Sequence, residues 1–299
     1  MKKIIAIMAI VVIIIVGFAT IKGQNTSTKH AKNGKITIVA STDFYAELAQ
    51  TVVGNHGKAT AIITKDNISP EDYEPTTAVA KKVSGTDIAL ANGLGYDTWL
   101  NKLAKSSKQT QLIRIGEDVL NEKSGTNPHL WNNPDTMIKT ANYLADDLSK
   151  KDPDHKSEYQ ANAKKYISSL KPVTSMVNEL KENSKGQSVA QTEPVFEYML
   201  TAMGYKVMDN DFSEAIEEGN DPSPAALSSL KSAITDHKIA FIVNNKQTTS
   251  STVSNIINLA KDNNIPIVNV TETIPNGEHY VSWKLDELKQ VQNIAQSQK

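Results

Sequence analysis

Short apolar runs rich in β-branched residues alternate with amphipathic stretches along most of the chain. The runs predict strands, and the spacing of apolar residues between them predicts helices. Strands that alternate with helices indicate parallel, doubly wound sheets. The predicted class is therefore α/β, with two lobes that each hold a mostly parallel sheet flanked by helices. Strands are expected at residues 35–40, 58–63, 88–91, 111–115, 188–190, 205–208, 239–243 and 267–270.

The strand pattern stops in the middle of the chain. Residues 153–184 form a long polar stretch in which apolar residues keep helical spacing, with Pro172 expected to kink the helix. We interpret this segment as a helix that connects two lobes. The N-terminal lobe is then expected at residues 35–152 and the C-terminal lobe at 185–299. The acidic stretch 209–221 is predicted to be a long solvated loop, able to close over a cleft.

The first residues differ from the rest of the chain. Two lysines precede an apolar run that ends at Lys22, so residues 1–22 are predicted to be a signal peptide or a signal anchor. The polar residues 23–34 predict a flexible tether. In either case the remaining chain is expected outside the cytoplasm, held at the membrane by an uncleaved anchor or secreted after cleavage.

Composition narrows the function classes. The chain has 299 residues, 39% of them hydrophobic and 22% charged, which suits two globular lobes. Its net charge of -1 gives no basic field for nucleic acid. The absence of cysteine excludes disulfides, thiolate zinc sites and a cysteine nucleophile.

Four residues in four separate loops are candidate metal ligands: Glu71, His129, Glu193 and Glu272. Each follows a predicted strand, and ligands of open α/β sheets collect beyond the carboxyl ends of strands. One imidazole and three carboxylates are a hard donor set, which favours Mn²⁺ by ligand type, with Zn²⁺ as a competitor. Individually each residue has an ordinary alternative role, such as a surface turn acid, a helix cap or a structural histidine.

Several motifs resemble those of the zinc- and manganese-binding solute-binding proteins of bacterial ABC importers. Residues 69–75 read Ser-Pro-Glu-Asp-Tyr-Glu-Pro and 86–93 read Thr-Asp-Ile-Ala-Leu-Ala-Asn-Gly. Residues 127–131 read Asn-Pro-His-Leu-Trp, 193–198 read Glu-Pro-Val-Phe-Glu-Tyr, and Glu272 follows the last predicted strand. The resemblance extends from residue 35 to the C-terminus.

The resemblance implies two α/β lobes joined by one long rigid helix, with the metal between them. Glu71 and His129 would come from the first lobe and Glu193 and Glu272 from the second. It also implies that a monomeric, non-enzymatic protein delivers Mn²⁺ or Zn²⁺ to an ABC permease in the membrane. Glu71 stands where the family usually has histidine, and Glu193 stands where it has histidine or, in some manganese binders, glutamate. The cysteine of lipoprotein members is absent.

Three alternatives remain at this stage. A degenerate site of the same fold would recognise another small cationic solute, such as an amine. A metal-dependent hydrolase would need a general base, for which Glu197 and His279 are the candidates. A role in cell adhesion is compatible with metal transport. The other histidines, among them His56, His155 and His237, are predicted to be solvated.

Overall fold

A computed structural model describes residues 34–65, 68–208 and 210–297. The predicted signal segment 1–22 and nearly all of the tether 23–34 lie outside the described residues. Within the described part of the chain, no helix has both the length and the apolar character needed to cross a bilayer. Lys35–Lys299 forms one compact unit.

The first lobe is built on a four-stranded parallel sheet. Its strands are β1 (Ile36–Thr42), β2 (Gly57–Ile63), β3 (Ile88–Ala91) and β4 (Gln111–Arg114), in the order β2-β1-β3-β4. Helices cover both faces, so the strands are nearly continuous apolar runs. The helices are α1 (Asp43–Val53), α2 (Thr77–Ser84), α3 (Thr98–Ser106) and α4 (Thr136–Lys151).

The second lobe repeats this architecture. Its strands are β5 (Ser188–Gln191), β6 (Lys206–Val207), β7 (Ile242–Asn245) and β8 (Ile267–Val270), all parallel and in the order β6-β5-β7-β8. The predicted α/β class with two parallel sheets is confirmed. The surrounding helices are α7 (Glu197–Ala202), α8 (Asn210–Glu217), α9 (Pro224–Thr235), α10 (Ser251–Asp262) and α11 (Tyr280–Ser297).

The connecting segment is divided into two consecutive helices, α5 (Lys156–Ser169) and α6 (Lys171–Asn183). The division at Leu170 has a simple cause, because Pro172 lacks an N–H and fits only the first turn of a helix. The Leu170 carbonyl instead accepts hydrogen bonds from the amides of Val173 and Thr174. The single long helix expected from the resemblance is thus two helices that meet at one residue.

The last helix belongs to both lobes. The hydrophobic core of the first lobe includes Tyr280 and Trp283, from the start of α11, and Ile274 from the loop before it. Leu288 and Val291, later in α11, are buried in the core of the second lobe. The predicted lobe 185–299 therefore contains a segment that packs with the other lobe, a placement that the strand pattern does not reveal.

The acidic stretch 209–221 was predicted to be a loop, and this prediction is wrong. Asn210–Glu217 is helix α8, whose inner face buries Phe212 and Ser213. An apolar residue and helix-compatible neighbours outweigh the high charge of the segment. The helix places the side chain of Glu217 against a cavity, where it is only 19% exposed.

Candidate metal centre

The loops that follow β2, β4, β5 and β8 meet between the two lobes. Glu71, Glu193 and Glu272 all line one cavity of about 810 Å³. His129 is fully buried behind it, with its Nε2 atom 3.9 Å from Glu272 Oε1. The structure therefore brings the four residues singled out from the sequence to a common place. Their role as metal ligands stays a prediction.

The loop that carries Glu71 is fixed by one tryptophan. Trp99 Nε1 donates to the Pro70 carbonyl over 3.0 Å, and its ring meets that of Tyr73 edge-on at 4.8 Å. Both contacts flank Glu71, a partly exposed residue that lines the cavity. The backbone at this wall of the cavity is thus held while the carboxylate is left able to turn towards an ion.

The His129 loop is tied to both lobes. Asn92, at the end of β3, donates to the Pro128 carbonyl over 2.9 Å and accepts from the Tyr45 hydroxyl over 2.7 Å. From the second lobe, the Tyr198 hydroxyl donates to the Asn127 carbonyl over 2.8 Å. Asn92 thus links the end of β3 to the His129 loop, and Tyr198 links that loop to the second lobe.

The tautomer of His129 follows from the hydrogen bonds of Asn127. The Asn127 amide nitrogen donates to the Pro194 carbonyl at 2.8 Å and to Glu197 Oε2 at 3.0 Å. Its Oδ1 must then face His129 Nδ1, 2.8 Å away, and an amide oxygen can only accept. His129 therefore carries its hydrogen on Nδ1. The Nε2 atom is left with a lone pair.

That lone pair faces carboxylate oxygens. His129 Nε2 lies 3.3 Å from Glu217 Oε1 and 3.9 Å from Glu272 Oε1, yet it is buried without a hydrogen-bond partner. Burial, with the positive charge of Lys284 as a smaller cause, lowers the pKa of His129 to about 3. The ring is neutral at physiological pH, so these contacts are not ion pairs. A cation between the atoms would satisfy all three.

Glu217 is the functional candidate that sequence reasoning missed, because the stretch 209–221 was expected to be a solvated loop. Burial raises the pKa of Glu217 to about 9, and the neighbouring Glu71, Glu193 and Glu272 add to the shift. The signal that could have found it is the spacing of Phe212 and Ile216, one helical turn apart and apolar within an acidic run.

The pKa values of Glu272 and Glu71 are raised by the same causes, burial and neighbouring carboxylates. Burial, followed by the charges of Glu71 and Glu193, raises the pKa of Glu272 to about 8. Desolvation in the cleft, followed by Asp72 and Glu193, raises the pKa of Glu71 to about 7. Lys246 also lines the cavity, but among the described residues it makes no ion pair with these carboxylates. Excess carboxylate favours a cationic guest.

Two hydrogen bonds, one to the Glu193 side chain and one from the Glu272 backbone, position the candidate ligands of the second lobe. Asn245, at the end of β7, donates from Nδ2 to Glu193 Oε2. The Gln247 side-chain oxygen accepts from the Glu272 amide. Within the described residues, no three potential ligand atoms of the cleft lie within 4.8 Å of one another. Coordination would therefore require the glutamate side chains to move inward around His129.

The residues named for a hydrolase are engaged elsewhere. Glu197 accepts from Asn127 and, over 3.3 Å, from the Asn210 side chain. His279 is 80% exposed and its Nδ1 lies 3.3 Å from Glu47. The first is a structural acceptor and the second is on the surface, so the geometry places neither as a general base.

Comparison with known proteins supports the fold and shows the family. The family model described as "ZnuA: Zinc-uptake complex component A periplasmic" matches residues 38–294. The chain is 26% identical over 302 residues to "Iron ABC transporter substrate-binding lipoprotein MtsA" of Streptococcus pyogenes serotype M1, with 91% of this chain and 94% of that protein covered. It is 25% identical over 225 residues to "Manganese-binding lipoprotein MntA" of Halalkalibacterium halodurans, covering 73% and 74%.

Solved structures show the same fold. The solute-binding protein FpvC of Pseudomonas aeruginosa with Mn²⁺ superposes with a TM-score of 0.73 at 19% identity, covering 89% of this chain and 100% of that one. The Zn(II)-bound ZnuA-like domain of Streptococcus pneumoniae AdcA gives 0.69 at 24% identity, covering 88% and 99%. The expectation of a binding protein rather than an enzyme is confirmed by the matching family. Because the family model spans most of its length, the chain belongs to the ZnuA family of periplasmic zinc-uptake components.

Proposed function

We propose that this protein captures Mn²⁺ or Zn²⁺ in the cleft between its lobes and delivers the ion to an ABC permease in the membrane. The observation that carries the proposal is the buried Nε2 lone pair of His129, which faces Glu217 and Glu272 without a hydrogen-bond partner. A buried polar atom without a partner is costly. A divalent ion would supply the partner.

The donor set supports an oxygen-rich coordination sphere. His129 provides the single nitrogen, Glu217 and Glu272 lie closest to it, and Glu71 and Glu193 stand on the cavity wall. Oxygen ligands suit Mn²⁺, whereas the usual affinity series for divalent metals gives Zn²⁺ an advantage at equal concentration. Relatives named for iron and for manganese support a transition metal as cargo.

The place of action is proposed from relatives and from the N-terminus. The matching proteins named above are substrate-binding or metal-binding lipoproteins. This chain has no cysteine to carry a lipid, and its predicted apolar segment 1–22 would serve as the tether instead. We place the two lobes at the outer face of the membrane, as a monomer.

Direct metal binding tests the proposal. Isothermal titration of the chelator-treated full chain with Mn²⁺, Zn²⁺ and a small primary amine separates metal transport from recognition of an organic cation. We expect both metals to bind and the amine not to bind. His129→Ala should weaken metal binding at least about tenfold, as for loss of a principal ligand, and His237→Asn, at an exposed histidine, is the matched control. Unchanged affinity in His129→Ala would discard the site.

A further inference from the structure

A second group of ligand-type side chains lies on the first lobe, outside the cleft. His56 closes the short turn Gly54–His56 after α1, His155 closes the turn Pro153–His155, and Glu158 lies in the first turn of α5. One ligand atom from each lies within 4.8 Å of the other two. Among the described residues this is the one group of three that meets this distance, although sequence reasoning expected both histidines to be solvated.

The two imidazole rings face one another. Their centroids are 3.7 Å apart with an interplanar angle of 24°, and His56 Nε2 lies 2.8 Å from Glu158 Oε2. Side-chain exposures of 20% for His56, 39% for His155 and 59% for Glu158 leave the group open to solvent. An ion could therefore enter without any opening of the fold.

Asp152 orients His155 in the way that carboxylates commonly orient metal-bound histidines. His155 Nδ1 lies 2.7 Å from Asp152 Oδ2, and the Tyr159 hydroxyl donates to the same oxygen over 2.8 Å. A carboxylate behind one ring nitrogen fixes the hydrogen there and leaves the other nitrogen as a lone-pair donor. The acceptor is itself held by Tyr159, so the orientation does not depend on metal.

We propose that His56, His155 and Glu158 form a second, peripheral site for Zn²⁺, with Asp152 as the outer partner of His155. Two imidazoles and one glutamate are a donor set that zinc uses with a water in the fourth position. The ion would replace the hydrogen between His56 and Glu158, and their 2.8 Å separation would widen to about 3.3 Å. This nitrogen-rich donor set is softer than the carboxylate-rich set of the cleft, so the two sites should differ in the metal ions they prefer.

The site would act as a clamp between distant parts of the chain. His56 lies in the turn that follows α1, whereas His155 and Glu158 lie where the connecting segment starts. An ion bound to all three resists their separation, so it stabilises the folded state by an amount that rises with the logarithm of its concentration above the dissociation constant. This inference is independent of transport, because no cleft residue takes part.

Zinc stoichiometry tests the proposal. The full chain carrying His129→Ala and Glu272→Gln, which disable the cleft, is titrated with Zn²⁺ against a chromophoric chelator. We expect one equivalent to remain, and to be lost when His155→Asn and Glu158→Gln are added. His237→Asn in the same background is the matched control and should keep the equivalent. No equivalent in the cleft-disabled protein, or one that persists after both additions, would overturn the site.

Thermal unfolding gives a readout that does not rely on stoichiometry. In the cleft-disabled protein, Zn²⁺ at about one hundredfold its dissociation constant should raise the midpoint by roughly 5 °C. Because Glu158 is exposed, the protein with Glu158→Gln added should fold normally. The substitution should nevertheless weaken zinc binding about tenfold. An equal rise in the midpoint of the cleft-disabled protein with and without Glu158→Gln would contradict the proposal.

Discussion

Asn127 Oδ1 accepts the Nδ1 hydrogen of His129 over 2.8 Å, and this one bond decides which nitrogen faces the cleft. The orientation of the amide is itself set by donation to Pro194 and Glu197. Through its NH₂ group, the same side chain also joins the His129 loop to the second lobe.

Asn127→Ala should therefore weaken metal binding by about tenfold or more without removing any ligand, since outer partners of metal-bound histidines are worth about 10–100-fold in affinity. Isothermal titration with Mn²⁺ measures the change. Asn255→Ala, on the exposed face of α10, is the control and should bind as the unaltered protein does. Equal affinities in the two variants would show that the tautomer is set by something else.

Glu217→Gln should lower metal affinity about tenfold, because it replaces a carboxyl group that can ionise to bind a cation, 3.3 Å from His129 Nε2, with an amide that stays neutral. Glu214→Gln, on the same helix but exposed, should have no effect. Chelator competition with Mn²⁺ and Zn²⁺ measures both. If the two variants behave alike, the inward position of Glu217 has no part in binding.

The metal-free protein should lose stability as pH rises from about 4.5 to about 9. The pKa of Glu217 is raised to about 9 and that of Glu272 to about 8, both first by burial. A carboxyl group whose pKa is higher in the folded than in the unfolded state holds an extra proton in this window, so folding weakens as protons are removed. The stabilising effect is complete below the unfolded pKa and is lost as pH passes the folded pKa.

Urea unfolding with a chelator present, at pH 5.5 and pH 8.5, checks this slope. The double variant Glu217→Gln and Glu272→Gln should flatten it, because its side chains do not titrate. A metal-free protein that is more stable at pH 8.5 than at pH 5.5 would show that these carboxyl groups are ionised in the fold. Saturating metal should reduce the loss, since binding requires the deprotonated forms.

Lys284→Met should destabilise the protein by about 3–5 kcal/mol, because it leaves a buried carboxylate unpaired. Lys284 is fully buried, with Nζ 2.7 Å from both Glu287 Oε2 and Asn132 Oδ1. Lys289→Met, which removes an exposed ion pair with Asp286, should change stability by less than about 1 kcal/mol. Urea unfolding compares the two. Similar midpoints would mean that Glu287 takes up a proton at little cost.

Elements whose structure depends mainly on their own residues could be predicted from the sequence. The strands Ile88–Ala91 and Ile267–Val270 are observed with the predicted bounds, because their apolar runs are local signals. The convergence of Glu71, His129, Glu193 and Glu272 also followed from strand ends and the family motifs. These signals need no knowledge of distant contacts.

Tertiary contacts account for what the sequence did not reveal. Helix α8 forms because Phe212 is buried against the second lobe, a contact that the acidic composition of the stretch conceals. Glu217 reaches His129 only through that helix. The pairing of His56 with Glu158 joins residues 102 positions apart, and two isolated polar histidines give no local sign that their rings stack.

Helix α11 packs with both lobes, and this has a consequence for the order in which the chain folds. Ile274, Tyr280 and Trp283 complete the core of the first lobe, although they follow all four strands of the second lobe along the chain. The Tyr280 hydroxyl donates to the Trp131 carbonyl over 2.7 Å, beside the histidine loop. During synthesis from the N-terminus, the first lobe therefore cannot complete its core until the strands of the second lobe have been made. The final shape of the cleft is reached only after both sheets are present.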